Sequence, residues 1–297
     1  MATVTLKPTL VMGARGSVGR RVLAELLDRQ SSVRASARRP EPGQFPAGVE
    51  VFAADLTDPK SLMPAFDGAG QVFLYAHHEG VHGVIAAART AGVERIVLMS
   101  SGSVIHPSSR GNAITEEHRE VEEAFRAASD LMVVPIRPLV LATNALGWAY
   151  PIKTSGRLPL YQPDALTAPV HERDIAAVAV AALLGNDDTT GLLTGPARIS
   201  QRDQAHAIAD ATGRDIAVDG LTREAALAQF ARFMPPVEAE AVLLFLDDAA
   251  AGNSPATDTI EGILGRPALG FDVWAADHAA DFPSAEPTRH REGRQHA

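Results

Sequence analysis

The feature that most constrains the fold is a regular alternation of short apolar runs with helical patterns in the first half of the chain. Runs such as 9–12 and 72–76 contain few polar residues, as is typical of strands that helices cover on both faces. Between the runs, apolar residues recur at helical spacing, as at Val22 and Leu26. Strands spaced by helices in this way predict right-handed crossovers and a parallel sheet, so the predicted fold class is α/β.

The same patterns predict the individual elements of this half. The predicted strands are 9–12, 32–37, 49–53, 72–76, 95–100 and 131–137. Four helices are predicted. The first begins at Val18 and the second at the Asp58-Pro59 pair, and the other two span 82–91 and 115–128, with Thr115 as the cap of the last. Later in the chain, 172–184 and 201–212 are predicted helices and 191–195 a short strand.

The pattern changes after Pro138. Residues 153–166 are rich in proline and glycine, and residues 222–281 are mostly helical in pattern. We therefore predict two parts. Residues 1–150 form a doubly wound parallel sheet, to which a strand and a helix return near 168–196, and residues 151–282 form a smaller, helix-rich substrate lobe. Residues 283–297 are polar and basic, and we predict a disordered tail there.

Composition excludes several classes of protein. The 297 residues carry 27 Lys and Arg against 36 Asp and Glu, a net charge of −9, so binding to nucleic-acid phosphates is not expected. No apolar run approaches the roughly 20 residues that span a membrane. The lack of cysteine excludes disulfides and thiolate metal sites. With no charged-then-apolar leader, we expect a cytoplasmic monomer or homodimer that binds a small molecule.

Three glycines at a spacing of three lie directly between the first strand and the first helix. Gly13 permits a tight turn, Gly16 lets the backbone approach a diphosphate closely, and Gly19 lets the helix pack against the sheet. The free amides at the start of the helix favour phosphate binding. The motif predicts a Rossmann dinucleotide site, and its binding residues are Gly13, Arg15, Gly16, Ser17, Val18 and Gly19.

The end of the second strand predicts which dinucleotide binds. Arg38 stands where an acidic residue would select NAD(H), and an arginine there accommodates the 2′-phosphate of NADP(H). NADP(H) is therefore the predicted cofactor, with NAD(H) the less favoured choice. Asp55, just past the third strand, either accepts a hydrogen bond from the adenine amino group or caps the next helix. The ends of the third and fourth strands add Leu56, Ala76 and His77 to the predicted cofactor contacts.

Taken together, these motifs resemble the NmrA-like, atypical branch of the short-chain dehydrogenase/reductases over about residues 9–282. The more specific part of the resemblance is a set of residues spread along the chain: His118, Arg119, Glu122, Arg137, Pro138 and Asn144. The resemblance implies NADP(H) in the N-terminal lobe and a substrate cleft against the C-terminal lobe. Members of the branch include quinone, azo-dye and triphenylmethane-dye reductases, as well as nucleotide sensors.

The chain departs from the wider superfamily at the catalytic pair of tyrosine and lysine. Alignment on Glu122 puts Ile114 at the tyrosine position and His118 at the lysine position. We predict His118 as the proton donor, because histidine exchanges protons near neutral pH, and Ser101 as a hydrogen-bond donor to substrate. A structural alternative pairs His118 with Glu122 one turn later on the helix.

Asn144, Trp148 and Tyr150 are predicted to line the substrate site, and no metal is expected. His77, His78 and His82 lack the carboxylates that would complete a convincing ligand set. The predicted function is NADPH-dependent reduction of a small electrophile, such as a quinone, dye, iminium or conjugated carbonyl, by hydride transfer without the usual tyrosine and lysine. The alternative is a non-catalytic NADP(H) sensor that acts through a protein partner.

Overall fold

The computed structural model describes residues 7–109 and 111–283. Its largest feature is a seven-stranded sheet in the strand order β3-β2-β1-β4-β5-β6-β9. The strands along the chain are β1 (Thr9–Val11), β2 (Val33–Ala37), β3 (Glu50–Ala53), β4 (Gln71–Tyr75), β5 (Arg95–Met99), β6 (Met132–Pro138), β7 (Arg157–Leu160), β8 (Leu166–Thr167), β9 (Leu192–Leu193), β10 (Ile199–Ser200) and β11 (Ala217–Gly220).

Every neighbouring pair in the seven-stranded sheet is parallel. Thr9 of β1 lies opposite Val33 on one side and opposite Gln71 on the other. The strand order therefore reverses between β1 and β4, which creates the crevice at the carboxyl ends where open α/β sheets bind ligands. The predicted doubly wound Rossmann sheet is confirmed.

The helices are α1 (Gly19–Asp28), α2 (Pro59–Phe66), α3 (Val81–Ala91), α4 (Ala113–Ala127), α5 (Ala149–Ser155), α6 (Glu172–Leu183), α7 (Gln201–Thr212), α8 (Arg223–Phe230), α9 (Pro236–Ala250), α10 (Thr259–Leu264) and α11 (Phe271–Asp277). None of those in the described ranges is long and apolar enough to cross a membrane. The prediction that Thr115 caps α4 is wrong. The helix begins earlier, and the side chain of Asn112 accepts a hydrogen bond from the Thr115 amide at 3.2 Å.

Apolar side chains cover the sheet on both faces. Val22 of α1 and Val178 of α6 belong to the core on one face, and Leu62 of α2 and Phe125 of α4 belong to the core on the other. Because both faces are buried, a strand can be apolar on both sides, as β1, β4 and β5 are apart from their first residues. This packing fixes the carboxyl edge of the sheet and the loops that leave it.

A third apolar cluster lies in the C-terminal half, around the buried side chain of Trp274. Ile152, Leu158 and Ile208 pack into it from α5, β7 and α7. The sequence patterns did not predict α5, β7 or β11, and β7 pairs with β11 in a small parallel sheet of its own. The boundary near residue 150 stays a prediction. The predicted disordered tail falls, apart from Pro283, outside the described residues.

Candidate functional site

Two adjoining clefts lie at the carboxyl edge of the sheet. The first, which we call the edge cleft, has a volume of about 990 Å³ and lies over the ends of β1, β2 and β4. Its lining includes Gly13, Gly16, Arg38, Asp55, Tyr75 and His77. Most of the residues predicted to bind a dinucleotide therefore surround one open space.

The glycine loop has the conformation that its three glycines predict. Gly13 has a φ of +61°, which side chains disfavour. A Cβ on Gly19 would lie only 2.5 Å from the carbonyl oxygen of Gly13, so this close approach of helix α1 to the loop requires glycine. Gly13 and Gly16 are exposed and line the edge cleft, so the backbone of the loop is open to it.

The residues between the glycines are placed to offer their backbone to a ligand. Val18 directs its side chain into the core, where it is 1% exposed, and Ser17 is half-buried. Neither side chain is among those that line the edge cleft. Their predicted contribution is therefore that of the amides at the start of α1, which carry the positive end of the helix dipole.

Arginines form one rim of the edge cleft. Arg15, Arg38 and Arg39 all line it and are exposed, and Arg15 donates a hydrogen bond to the carbonyl oxygen of Arg39 at 3.3 Å. Guanidinium groups bind phosphate through paired donors and keep their charge. The residues of the edge cleft therefore fit a dinucleotide with an additional phosphate, because an open glycine loop is available for the diphosphate and a basic rim lies beside it.

Asp55 lies in the same cleft and is ionised there. Its Oδ1 accepts hydrogen bonds from the Thr57 amide at 3.0 Å and the Thr57 hydroxyl at 2.9 Å. These hydrogen bonds, with a smaller contribution from the charge of Arg38, lower the pKa of Asp55. The carboxylate that caps α2 is that of Asp58, which accepts from the Lys60 amide. Asp55 therefore does not cap the helix, and with Leu56 it faces the edge cleft.

His77 and His78 follow the end of β4, at the carboxyl edge of the sheet. His77 lines the edge cleft and stacks on His78 with ring centroids 6.0 Å apart. His78 in turn lies 3.7 Å from a carboxylate oxygen of Glu117. Within residues 7–109 and 111–283, no three histidine or acidic side chains are grouped closely enough to hold a metal ion.

The second cleft, which we call the inner cleft, has a volume of about 330 Å³ and lies between the ends of β4, β5 and β6 and the helices α4 and α9. Tyr75 lines both clefts, so the two spaces meet at its side chain. Ala76, Ser101, His118 and Asn144 line the inner cleft, together with apolar side chains such as Phe245. The predicted catalytic residues therefore lie beside the predicted cofactor site.

His118 has one ring nitrogen committed to its own helix. Its Nδ1 lies 2.8 Å from the carbonyl oxygen of Ile114. A carbonyl oxygen only accepts, so Nδ1 carries a proton and Nε2 is the nitrogen left for substrate. The structural alternative of a His118–Glu122 pair is wrong. Glu122 accepts two hydrogen bonds from Arg137 and one from Ser100, which draw its carboxylate toward β6 and β5.

The other predicted substrate residues divide into two groups. The Ser101 hydroxyl lies 2.8 Å from that of Ser103, at the start of a short 3₁₀ turn beside the inner cleft. Asn144 is exposed and lines the same cleft. Trp148 packs against the Trp274 cluster, and Tyr150 is 76% exposed. Neither of these two lines the inner cleft, and their role as substrate contacts stays a prediction.

Two inner-cleft features did not emerge from the sequence patterns. Tyr75 is one of them, and the signal that could have found it is its place at the end of β4, since ligands bind at that edge of the sheet. Thr115, predicted to cap the helix, instead lines the inner cleft with a buried hydroxyl that has no hydrogen-bond partner among the described residues.

Comparisons with known proteins show the family of this chain. A family model described as NAD(P)H-binding matches residues 13–186. The (4-alkanoyl-5-oxo-2,5-dihydrofuran-3-yl)methyl phosphate reductase of Streptomyces griseus is 36% identical over 92% of this chain and 98% of its own length. The NAD(P)H azoreductase of Xenophilus azovorans is 31% identical over 93% of this chain and 99% of its own length.

Among solved structures, the NADPH-dependent quinone oxidoreductase of Escherichia coli, complexed with NADPH, has a TM-score of 0.74 at 20% identity. It matches 91% of this chain and 99% of its own, and this likeness concerns the fold alone. The predicted resemblance to NmrA-like short-chain dehydrogenase/reductases is confirmed by these matches taken together. The chain belongs to the NAD(P)H-binding family and is an NAD(P)H-dependent reductase.

Proposed function

We propose that the protein uses NADPH to reduce a small, electron-poor acceptor held in the inner cleft. The observation that carries this proposal is the shared wall at Tyr75, where the inner cleft opens beside the glycine-loop site. When bound, NADPH supplies a hydride from its nicotinamide ring. The protein itself then holds the nicotinamide ring and the acceptor together where the two clefts meet, and excludes water from that space.

The preference for NADP(H) over NAD(H) rests on the basic rim. Arg38 follows directly after β2 and lines the edge cleft, where its guanidinium can face a 2′-phosphate. Arg15 and Arg39 add to the positive charge at the same rim. Asp55 and Leu56 complete the proposed adenosine side, and Gly13, Gly16, Ser17, Val18 and Gly19 the diphosphate side.

For the reaction itself, His118 is the proposed proton donor and Ser101 the proposed hydrogen-bond donor to substrate. Ile114 lines the inner cleft at the position of the superfamily's tyrosine and cannot donate a proton. His118 delivers a proton from Nε2 only when both ring nitrogens are protonated, because Nδ1 is held by the Ile114 carbonyl. The proposed acceptor therefore needs little help from an acid.

The lining of the inner cleft favours an uncharged reacting group. Among the described residues that line it, none is Lys, Arg, Asp or Glu, and about half of them are apolar. Burial of an unpaired charge in such a site is costly, whereas a carbonyl or azo nitrogen can accept from Ser101, Thr115 or Asn144. A conjugated carbonyl fits this chemistry. The name of the Streptomyces relative describes an unsaturated lactone that carries an alkanoyl group and a phosphate ester, and in this proposal the charge of such a phosphate lies outside the inner cleft.

The experiment is a substrate panel. Purified protein is mixed with NADPH or NADH and with a quinone, an azo dye or an acyl-substituted unsaturated lactone, and loss of reduced-nicotinamide absorbance is followed. We expect substrate-dependent oxidation that is faster with NADPH. Absence of turnover across the panel, with NADPH binding intact, would contradict the proposed substrate class. Because relatives of 31% identity and more are named reductases, the sensor alternative is not retained.

A further inference from the structure

We infer that the hydroxyl of Tyr75 is a further ligand of the cofactor's diphosphate, donating to it from beneath the glycine loop. This inference rests on the proposed binding of NADP(H) in the edge cleft. It assigns a binding role to a residue that neither the glycine motif nor Arg38 includes, and it explains why a tyrosine ends β4 at the junction of the two clefts.

The first observation is that all three glycines of the loop lie against this one side chain. A Cβ on Gly13 would lie 2.9 Å from Cε2 of Tyr75, and a Cβ on Gly16 would lie 3.0 Å from its hydroxyl oxygen. The amide of Gly19 donates a hydrogen bond to the same oxygen at 2.8 Å. The hydroxyl is therefore held directly beside the backbone that is open to the cleft.

The second observation is that the Tyr75 hydroxyl accepts one hydrogen bond and has its own proton left to donate. The Gly19 amide is the first of helix α1, and such amides are normally free to bind an anion. Here that amide is used by the phenol oxygen. A phenol oxygen that accepts one hydrogen bond still carries its own proton, and no hydrogen bond among the described residues receives that proton. The Tyr75 hydroxyl, which accepts from the Gly19 amide, can therefore donate its own proton to a ligand.

The third observation concerns protonation and access. Burial raises the pKa of Tyr75, so the phenol stays protonated and remains a donor throughout the neutral range. The ring is held edge-on against Phe73, with centroids 5.4 Å apart. Since Tyr75 also lines the edge cleft, a fixed donor faces the space in which the glycine motif places a diphosphate. A phosphate oxygen is the acceptor that gives the strongest hydrogen bond there.

The test compares Tyr75→Phe, which removes only the hydroxyl, with Tyr161→Phe as a matched control. The Tyr161 hydroxyl donates to Asp247 at 2.6 Å and lines neither of the two clefts. Binding of NADPH, NADP⁺ and ADP-ribose is measured by calorimetry, with adenosine 2′-monophosphate as a ligand without the diphosphate. For Tyr75→Phe we expect the Kd of the three diphosphates to rise roughly 10- to 100-fold, as for a lost hydrogen bond to a charged group. We expect adenosine 2′-monophosphate to bind unchanged.

A second measurement uses the wild-type chain, so it does not depend on the folding of a variant. The chain has only three tyrosines, and ¹³Cζ-tyrosine labelling gives each its own signal. We expect ADP-ribose to shift the Tyr75 signal and adenosine 2′-monophosphate to leave it in place. The inference is overturned if diphosphate affinity changes less than twofold, if the monophosphate is weakened equally, or if the Tyr75 signal does not move. Failure of the wild-type protein to bind any of the diphosphates would instead overturn the proposed function.

Discussion

Arg137 holds Glu122 through two parallel hydrogen bonds, from Nε to Oε1 at 2.8 Å and from Nη2 to Oε2 at 2.6 Å. The pair joins β6 to α4 and is nearly buried, with side chains 13% and 4% exposed. Ser100 donates to the same carboxylate at 2.6 Å, and Nη1 of Arg137 donates to the Thr190 carbonyl oxygen. This network ties together the elements that form one side of the inner cleft.

Glu122→Gln is expected to lower the free energy of unfolding by about 3–5 kcal/mol, because it leaves a buried guanidinium without its counter-charge. Urea unfolding measures the change. The matched control is Asp130→Asn, since Arg89 and Asp130 form a similar two-bond pair in solvent. Water screens that pair, so its loss is expected to have a much smaller effect. Equal effects of the two substitutions would contradict a structural role for the buried pair.

Arg38→Asp is expected to weaken NADPH far more than NADH, by roughly 100-fold in Kd, because it replaces a charge-assisted phosphate contact with repulsion. Calorimetric titration with both coenzymes measures the preference. Arg20→Asp is the control, since Arg20 is an exposed residue of α1 that does not line the edge cleft. An unchanged ratio of the two affinities would show that Arg38 does not contact the 2′-phosphate.

His118→Gln is expected to lower kcat by roughly 10²-fold or more, the contribution typical of a positioned proton donor, while the Kd of NADPH stays unchanged. Stopped-flow rates measure kcat, and calorimetric titration measures the Kd of NADPH. His82→Gln serves as the control, since His82 is exposed on α3 and lines neither cleft. A variant with normal kcat would rule out His118 as the donor.

Glu172, at the start of α6, is buried beside an arginine and two histidines. Its Oε1 accepts from Arg21 at 2.7 Å and lies 2.8 Å from Nε2 of His278, and its Oε2 lies 3.1 Å from Nδ1 of His171. Burial alone would raise the pKa of Glu172, but the neighbouring imidazoles outweigh it and hold the pKa well below its usual range. The pKa of Asp277, also beside His171, is lowered as well, against the effect of burial, chiefly by Arg173.

These lowered pKa values predict acid sensitivity. A carboxyl group whose pKa is lower in the folded than in the unfolded state stabilises the fold when the pH is above its pKa in the unfolded state, which is about 4. That stability is lost as the pH falls toward the folded pKa. We therefore expect the urea midpoint to be steady from pH 7 to about 5 and to fall steeply below about 4. In Glu172→Gln the midpoint should be lower at pH 7 and less dependent on pH below 4. An equally steep fall in the variant would exclude Glu172 as its source.

Much of the fold could be predicted because its signals are local. The apolar strands, the cap at Asp58 and the glycines at 13, 16 and 19 each depend on neighbouring residues and on backbone sterics. The pairing of β7 with β11 could not be predicted in this way, since 157–160 and 217–220 are far apart in the chain and neither has a clear strand pattern. Pro159 within β7 weakens that pattern further.

The sequence by itself determined the α/β class, the glycine loop and the basic end of β2, because each of these follows from spacing along one segment. Only the tertiary structure decided which partner each polar group has. Helical spacing allowed Glu122 to pair with His118. In the structure the carboxylate of Glu122 instead accepts two charge-assisted hydrogen bonds from the guanidinium of Arg137, which lies on β6. In the same way, Tyr75 reaches the amide of Gly19 because β4 lies beside β1, a proximity that strand order creates and local sequence does not contain.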